Sequence, residues 1–166
     1  MPIAQTLIME LEQEAKTTRN VLARIPNDKL AWKPHIKSMS LGGLAGHIAT
    51  IPGGMAKIAS LESFDVSGFK PPAEPESAAA AVATLEEGVA QAKAILGGMD
   101  DAALMQDWSL IRDGRPMMTI PRIAVFRTML LNHLYHHRGQ LSVYLRLLDV
   151  PVPAIYGASA DESPAG

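Results

Sequence analysis

The 166-residue chain predicts an all-α fold, four long helices packed as one bundle, and three observations carry that prediction. Apolar residues recur at three- and four-residue spacing through four separate segments, the period of an amphipathic helix. A proline-rich stretch long enough to run back along a helix lies between the second and third of them. Hydrophobic residues make up 48% and charged residues 19%, with a formal charge of -2, so one domain of this length can bury a core of its own.

The first helix is expected from about Ile3 to Arg24, where Ile3, Leu7, Leu11, Ala15, Thr18, Leu22 and Ile25 share a face, and Pro26 ends it because proline has no N–H to give. A polar link with Trp32 and Pro34 leads to Ser38-Met39-Ser40, where a serine can cap a second helix over about Leu41 to Leu61. Gly42, Gly43 and Gly46 each cost that helix about 1 kcal/mol relative to alanine, so packing must hold it, and small residues let a partner come close. Ser63 to Ser77 holds Pro71, Pro72 and Pro75 and reads as a crossover. Its 15 residues can reach about 50 Å, against about 30 Å for a twenty-residue helix, so helices two and three can run parallel. The third helix is expected over about Ala78 to Leu96, stopping at Gly97-Gly98. Between Trp108 and Met117 the Asp113-Gly114 pair, flanked by apolar residues, signals a turn or short hairpin. The fourth helix should start near Pro121 and continue to about Leu148, its core stripe being Ile123, Arg127, Leu130, Leu134, His137, Leu141, Tyr144 and Leu148. Residues 1–157 read as a single domain and 158–166 as a frayed tail.

Composition narrows the chemistry. The absence of cysteine excludes a disulfide framework and thiolate ligation, leaving His, Asp and Glu as metal ligands. The nearly balanced charge gives no generic affinity for nucleic acid, and no apolar run reaches the roughly 18 residues needed to span a bilayer. Glu10 and Glu12 interrupt the apolar pattern of a start that has no basic region, unlike a secretion signal, so a cytoplasmic protein without membrane or nucleic-acid partners is expected.

The densest chemistry is His133-Leu134-Tyr135-His136-His137-Arg138-Gly139-Gln140. At helical pitch His133 and His137 stand one turn apart on one face and can grip one ion. His47, in Leu44-Ala45-Gly46-His47-Ile48-Ala49, can supply a third nitrogen if the second and fourth helices pack together. Three imidazoles leave an ion with an open position, the hallmark of catalytic rather than structural sites. His136, rotated about 100° from His137, belongs to the flank. His35, beside Pro34, reads as a surface residue, and Trp32 and Trp108 as core. Gln140 can bond near a bound water or make a packing contact. Ser109 to Leu148 carries six arginines against the single Asp113, which reads either as ordinary solvated helix faces or as a basic rim that attracts an anionic ligand, using Arg138 and Arg112 or Arg115. Neutral imidazoles leave a divalent ion its charge, which lowers the pKa of bound water and equally favours a thiolate. Zinc, nickel, iron and manganese all suit nitrogen donors. No Asp or Glu lies within a turn of His133 or His137, which weakens hydrolysis by a general base and favours thiol transfer.

These residues resemble the DinB-like superfamily, with its YfiT-type metal-dependent enzymes. The resemblance rests on Trp32-Lys33-Pro34-His35 leading to Ser38-Met39-Ser40-Leu41, on His47-Ile48-Ala49, on His133 through Gln140, and on the close from Tyr144-Leu145-Arg146-Leu147-Leu148 to Val150-Pro151-Val152-Pro153 and Tyr156-Gly157. It implies a four-helix bundle of up-down-down-up topology and a metal triad of His47, His133 and His137. It also implies a homodimer acting on a small-molecule substrate, with activities that include transfer or isomerisation using bacillithiol, mycothiol or glutathione. A metal-dependent hydrolase and a non-catalytic stress or ligand-binding protein are the alternatives. Gly43 departs from the pattern, since relatives often carry a glutamate there.

Overall fold

In the computed structural model, which describes residues 1–163, the four expected helical segments are present, and a small sheet joins them. Helix α1, Ile3–Leu22, buries Leu7, Leu11, Ala15, Val21 and Leu22 together with the polar Glu14 and Thr18. Helix α2, Leu41–Ser60, is capped by Ser40, whose hydroxyl accepts from the Gly43 N–H at 2.9 Å. That hydroxyl in turn donates to the Glu74 carboxylate at 2.5 Å. Helix α3, Ala78–Gly97, is capped by Ser77 and packs closely on α2. A Cβ placed on Gly53 would stand 2.9 Å from the Gly88 Cα, so at this crossing two helix backbones touch and only glycine fits. Gly46, one of the small residues that weaken α2 as an isolated helix, serves the crossover instead: a Cβ there would stand 2.8 Å from the Ala73 carbonyl oxygen.

The expectation of a purely helical chain needs correction. The crossover opens with strand β1, Ser63–Asp65, followed by a 3-10 turn over Val66–Gly68. A short helix α4, Asp101–Met105, capped by Asp100, precedes strands β2, Asp107–Arg112, and β3, Arg115–Pro121. Strand β1 pairs in parallel with β2, Phe64 opposite Leu110, and β2 pairs antiparallel with β3. The hairpin signal is thus realised: Asp113 and Gly114 take φ of 50° and 72°, the left-handed pair a two-residue hairpin requires. Trp108 is fully buried and its indole N–H donates to the Ile58 carbonyl at 3.1 Å, tying β2 to the end of α2.

The last rod is continuous but not uniformly α. It begins as α5, Arg122–Ala124, widens to a π-helix over Val125–Asn132, and returns to α-helix as α6, His133–Leu147. Its buried positions are Val125, Phe126, Leu130, Leu131, Leu134, Arg138, Leu141 and Leu145. The stripe expected at strict three- and four-residue spacing is therefore displaced: Arg127 leaves it within the π segment, where each turn takes up about one extra residue, and in α6 Arg138 takes the buried place expected of His137. Of the expected frayed tail, Ser159, Asp161 and Glu162 make contacts with the body, and 164–166 lie outside the described residues. Asp161 pairs with Arg146 at 2.5 Å and accepts from the Val152 N–H at 2.9 Å, and Glu162 pairs with Arg24. No helix among the described residues is long and apolar enough to cross a membrane.

Candidate metal centre

His47 projects from the middle of α2 and His133 and His137 from the first turns of α6, and one ring nitrogen from each of the three lies within 4.8 Å of the other two. The ring centroids are 4.5 to 4.9 Å apart. His47 Nε2 and His133 Nε2 are separated by 3.1 Å. Two nitrogens each about 2.0–2.1 Å from one ion, at tetrahedral to octahedral angles, stand about 2.9 to 3.4 Å apart, so this spacing fits a shared divalent ion.

The orientation of two rings is fixed from behind. His133 Nδ1 lies 3.2 Å from the Met129 carbonyl, which can only accept, so the ring carries its proton on Nδ1 and leaves the Nε2 lone pair free. His137 Nδ1 donates to Gln140 Oε1 at 2.7 Å, with the same result. Such support of the far ring nitrogen is what metal-ligating histidines characteristically have. Burial pushes the His47 pKa down to about 4, helped by the charges that His137 and His133 would carry. Burial also lowers the pKa of His133 and His137. Three imidazoles held neutral at ordinary pH are a donor set, not a charged cluster.

Two of the three, His47 and His133, line a cavity of about 530 Å³, and His137 lies behind them. Helix α2 lines it with Met55 and Ile58, the crossover with Phe64, Val66 and Phe69, and β2 with Leu110. The last rod adds Met129 and a polar edge of Thr128, Asn132 and His136, spaced four residues apart. No Asp, Glu, Lys or Arg lines it among the described residues. A larger concavity of about 740 Å³ lies where the start of α1 meets the end of α3, lined by Pro2 and Asp101 among others, and holds no ligating imidazole.

The other sequence-selected residues sort as follows. His136 stays outside the ligand group and is exposed at the cavity mouth, its ring 4.8 Å from that of His137. Gln140 acts on His137 rather than on a helix neighbour. His35 is exposed. Trp32 is half-buried, packing edge-on against Tyr144.

Arg138 requires correction as a cofactor-binding residue. Its side chain is 1% exposed and forms an ion pair with Glu14 at 2.6 Å on the side facing α1. The basic rim dissolves with it. Arg122 is buried against the Ala103 and Leu61 carbonyls, Arg127 pairs with Glu10, and Arg146 pairs with Asp161. Arg112 and Arg115, at the hairpin turn, do not line the cavity. Gly43 has a physical counterpart for its missing side chain: a Cβ there would stand 3.3 Å from Glu74 Oε1, so a carboxylate from the crossover stands beside it.

Sequence reasoning missed the cavity wall. Its signal was present in the two phenylalanines and Val66 of the crossover, which a solvent-exposed linker does not need, and in Leu110 opposite Phe64 across the sheet.

A family model described as the DinB family matches residues 1–164. No curated protein matches. Among solved structures, a DinB-like protein from Bacillus cereus superposes with a TM-score of 0.72 at 23% identity, covering 92% of this chain and 97% of the other. A DinB-like protein from Bacillus subtilis superposes with a TM-score of 0.66 at 19% identity, covering 87% of this chain and 92% of the other.

Proposed function

The chain belongs to the DinB family, and from that premise we propose that it is a divalent-metal-dependent enzyme transferring the sulfur of a small thiol to an electrophile, with His47, His133 and His137 as the metal ligands. The observation that supports this best is the convergence of three neutral imidazoles, two of them, His47 and His133, at the wall of a cavity lined by no carboxylate. A zinc, nickel, iron or manganese ion there would lower the pKa of a thiol placed in its open position. The protein's own part is to hold the lone pairs of His133 and His137 inward, through Met129 and Gln140, and to keep water from the apolar side. An attack by thiolate needs no base at that moment, in keeping with a lining without Asp or Glu. Glu10 of α1 is engaged by Arg127 and by the Tyr135 hydroxyl at 2.7 Å. The bundle topology, up-down-down-up, and assembly as a cytoplasmic homodimer belong to the same proposal.

Elemental analysis of freshly purified protein should find about one divalent ion per chain. Turnover of chlorinated or epoxide electrophiles should require an added thiol such as bacillithiol, mycothiol or glutathione, and should stop with chelator. Ester hydrolysis without thiol would replace this reading by the hydrolase alternative. Loss of fold, rather than loss of turnover, on removal of the ion would make the metal a structural clamp between α2 and α6.

A further inference from the structure

We propose that the substrate partner entering this centre carries an uncharged apolar group, an aryl ring or branched alkyl chain, and that Phe69 sets this preference. The inference rests on the metal reading above for the reacting end of the substrate, and on the cavity alone for the other end. At about 530 Å³ the cavity is of the size that takes small organic molecules. Its body is built from Met55, Ile58, Phe64, Leu110 and Met129, and Phe69 closes one side. A carboxylate or ammonium group pushed among these residues would lose its hydration and find no opposite charge, which costs several kcal/mol. An aryl group meets the reverse balance, with two phenylalanine rings, 6.4 Å apart and edge to face, and two thioethers to pack on.

Phe69 is the decisive residue because of its place. It is 53% exposed, so it forms a wall rather than a part of the core. It also lines a smaller cavity of about 150 Å³, which shares His47, Met55 and Ile58 and includes Lys70 as its single lysine or arginine. Phe69 is thus common to an uncharged chamber and to a neighbouring one that holds a cation. The cofactor thiols expected from the family resemblance carry carboxylates or sugars. Such a thiol must approach from outside the apolar chamber, leaving that chamber to the electrophile.

Three hydroxamates with one metal-binding head and different tails test this on cobalt-loaded protein: acetohydroxamate, benzohydroxamate and 4-carboxybenzohydroxamate, with affinity read from the visible spectrum. Benzohydroxamate should bind roughly tenfold to a hundredfold more tightly than acetohydroxamate, the gain expected for removing one phenyl ring from water. The para-carboxylate should abolish that gain. Phe69→Lys should shrink the benzo advantage and tighten 4-carboxybenzohydroxamate by about threefold to fivefold, the order of one partly screened ion pair, while acetohydroxamate binds as before. Equal affinity for the methyl and phenyl tails, or a carboxylate tail bound as well as the neutral one, would overturn the inference and leave the metal reading standing. Chelator-treated protein supplies an arm that needs no metal. Saturation-transfer NMR should detect benzamide but not benzoate, with the benzamide signal weakened in Phe69→Lys. If no metal is taken up, the enzyme reading fails, and this second arm still decides the cavity: benzoate binding no weaker than benzamide refutes it.

Discussion

Replacing Arg138 by alanine tests whether this residue belongs to the core or to the site. Its guanidinium donates to Glu14 Oε2 at 2.6 Å, to the Glu14 carbonyl at 3.1 Å, to Thr18 Oγ1 at 3.2 Å and to the Tyr156 hydroxyl at 2.7 Å. It also stands 5.6 and 5.1 Å from the ring centroids of Tyr135 and Tyr156. The Glu14 side chain is only 8% exposed, so Arg138→Ala strands a buried carboxylate, a perturbation that costs about 3–5 kcal/mol. The Tyr156 hydroxyl, which donates to Glu14 Oε2 at 3.0 Å, remains and offsets part of this. A loss near the lower end, about 3 kcal/mol, is expected; with a urea slope of about 2 kcal/mol/M the unfolding midpoint falls by about 1.5 M. The double variant Glu14→Leu/Arg138→Met should recover most of the loss, because it removes both charges and keeps the volume. Metal affinity of folded Arg138→Ala should stay within a few-fold of the parent. A variant with the parent's midpoint, or one that keeps its stability but loses binding of an anionic thiol, would return Arg138 to the site and refute the placement argued above.

The same site yields sharper contrasts. His47→Ala, His133→Ala and His137→Ala should each lose stoichiometric metal by elemental analysis, whereas His136→Ala, whose ring lies outside the ligand group, should retain it. Gln140→Leu removes the acceptor behind His137 and should weaken metal binding by about tenfold, in competition with a chelating dye, with the unfolding midpoint little changed. Gly88→Ala brings a Cβ to 3.0 Å from the Gly53 backbone nitrogen, a contact between two main chains that cannot yield cheaply, and should cost about 1–3 kcal/mol in urea unfolding. Unchanged stability there would mean that α2 and α3 separate more easily than their contact suggests. Metal-free protein should lose stability as pH falls from about 6.5 toward about 4, since an unfolded chain protonates its histidines in that window while the folded triad, with His47 depressed to about 4, still resists. Above pH 6.5 the effect is absent, and a midpoint that rises on acidification would contradict the lowered pKa values of all three residues.

The four long helices were legible because their signals are local. Spacing of apolar residues, a capping serine at Ser40 and Ser77, and Pro26 or Gly97-Gly98 at the ends depend on neighbours within one or two turns. The triad was legible for a related reason: i, i+4 spacing guarantees that His133 and His137 share a face, and only the meeting with His47 needed tertiary structure. Strand β1 was hidden because three residues are too few for a period, and its partner lies 46 residues away, at Phe64 opposite Leu110. The first half of the last rod was misjudged because a single period was applied across a π segment. The clue was in the pairs Val125-Phe126 and Leu130-Leu131, which repeat after five residues rather than three or four and so fit i→i+5 bonding. The exchange of His137 for Arg138 lies beyond it in regular α-helix, where both stand one turn from Leu134 and Leu141 and the buried Glu14 of α1 selects Arg138.

Regular α-helical pitch in α6 explains how adjacent residues serve different neighbours. At about 100° per residue, Leu134, Arg138, Leu141 and Leu145 cluster on one line of α6, while His133 and His137 lie some 70–110° to one side of it and Tyr135 about 90° to the other. The central line faces the core, the histidine flank faces α2 and His47, and the Tyr135 flank faces α1 and Glu10. Three fully buried leucines fix this rotation by packing alone. The α1 flank is satisfied by Arg127, Tyr135 and Arg138 on Glu10 and Glu14, and the α2 flank brings imidazole to imidazole. The charges of the first flank are paired among themselves, away from the cavity beside the second. The centre keeps neutral ligands and an uncharged chamber beside it although a guanidinium sits at the very next residue, and it does so because one residue along an α-helix is more than a quarter turn.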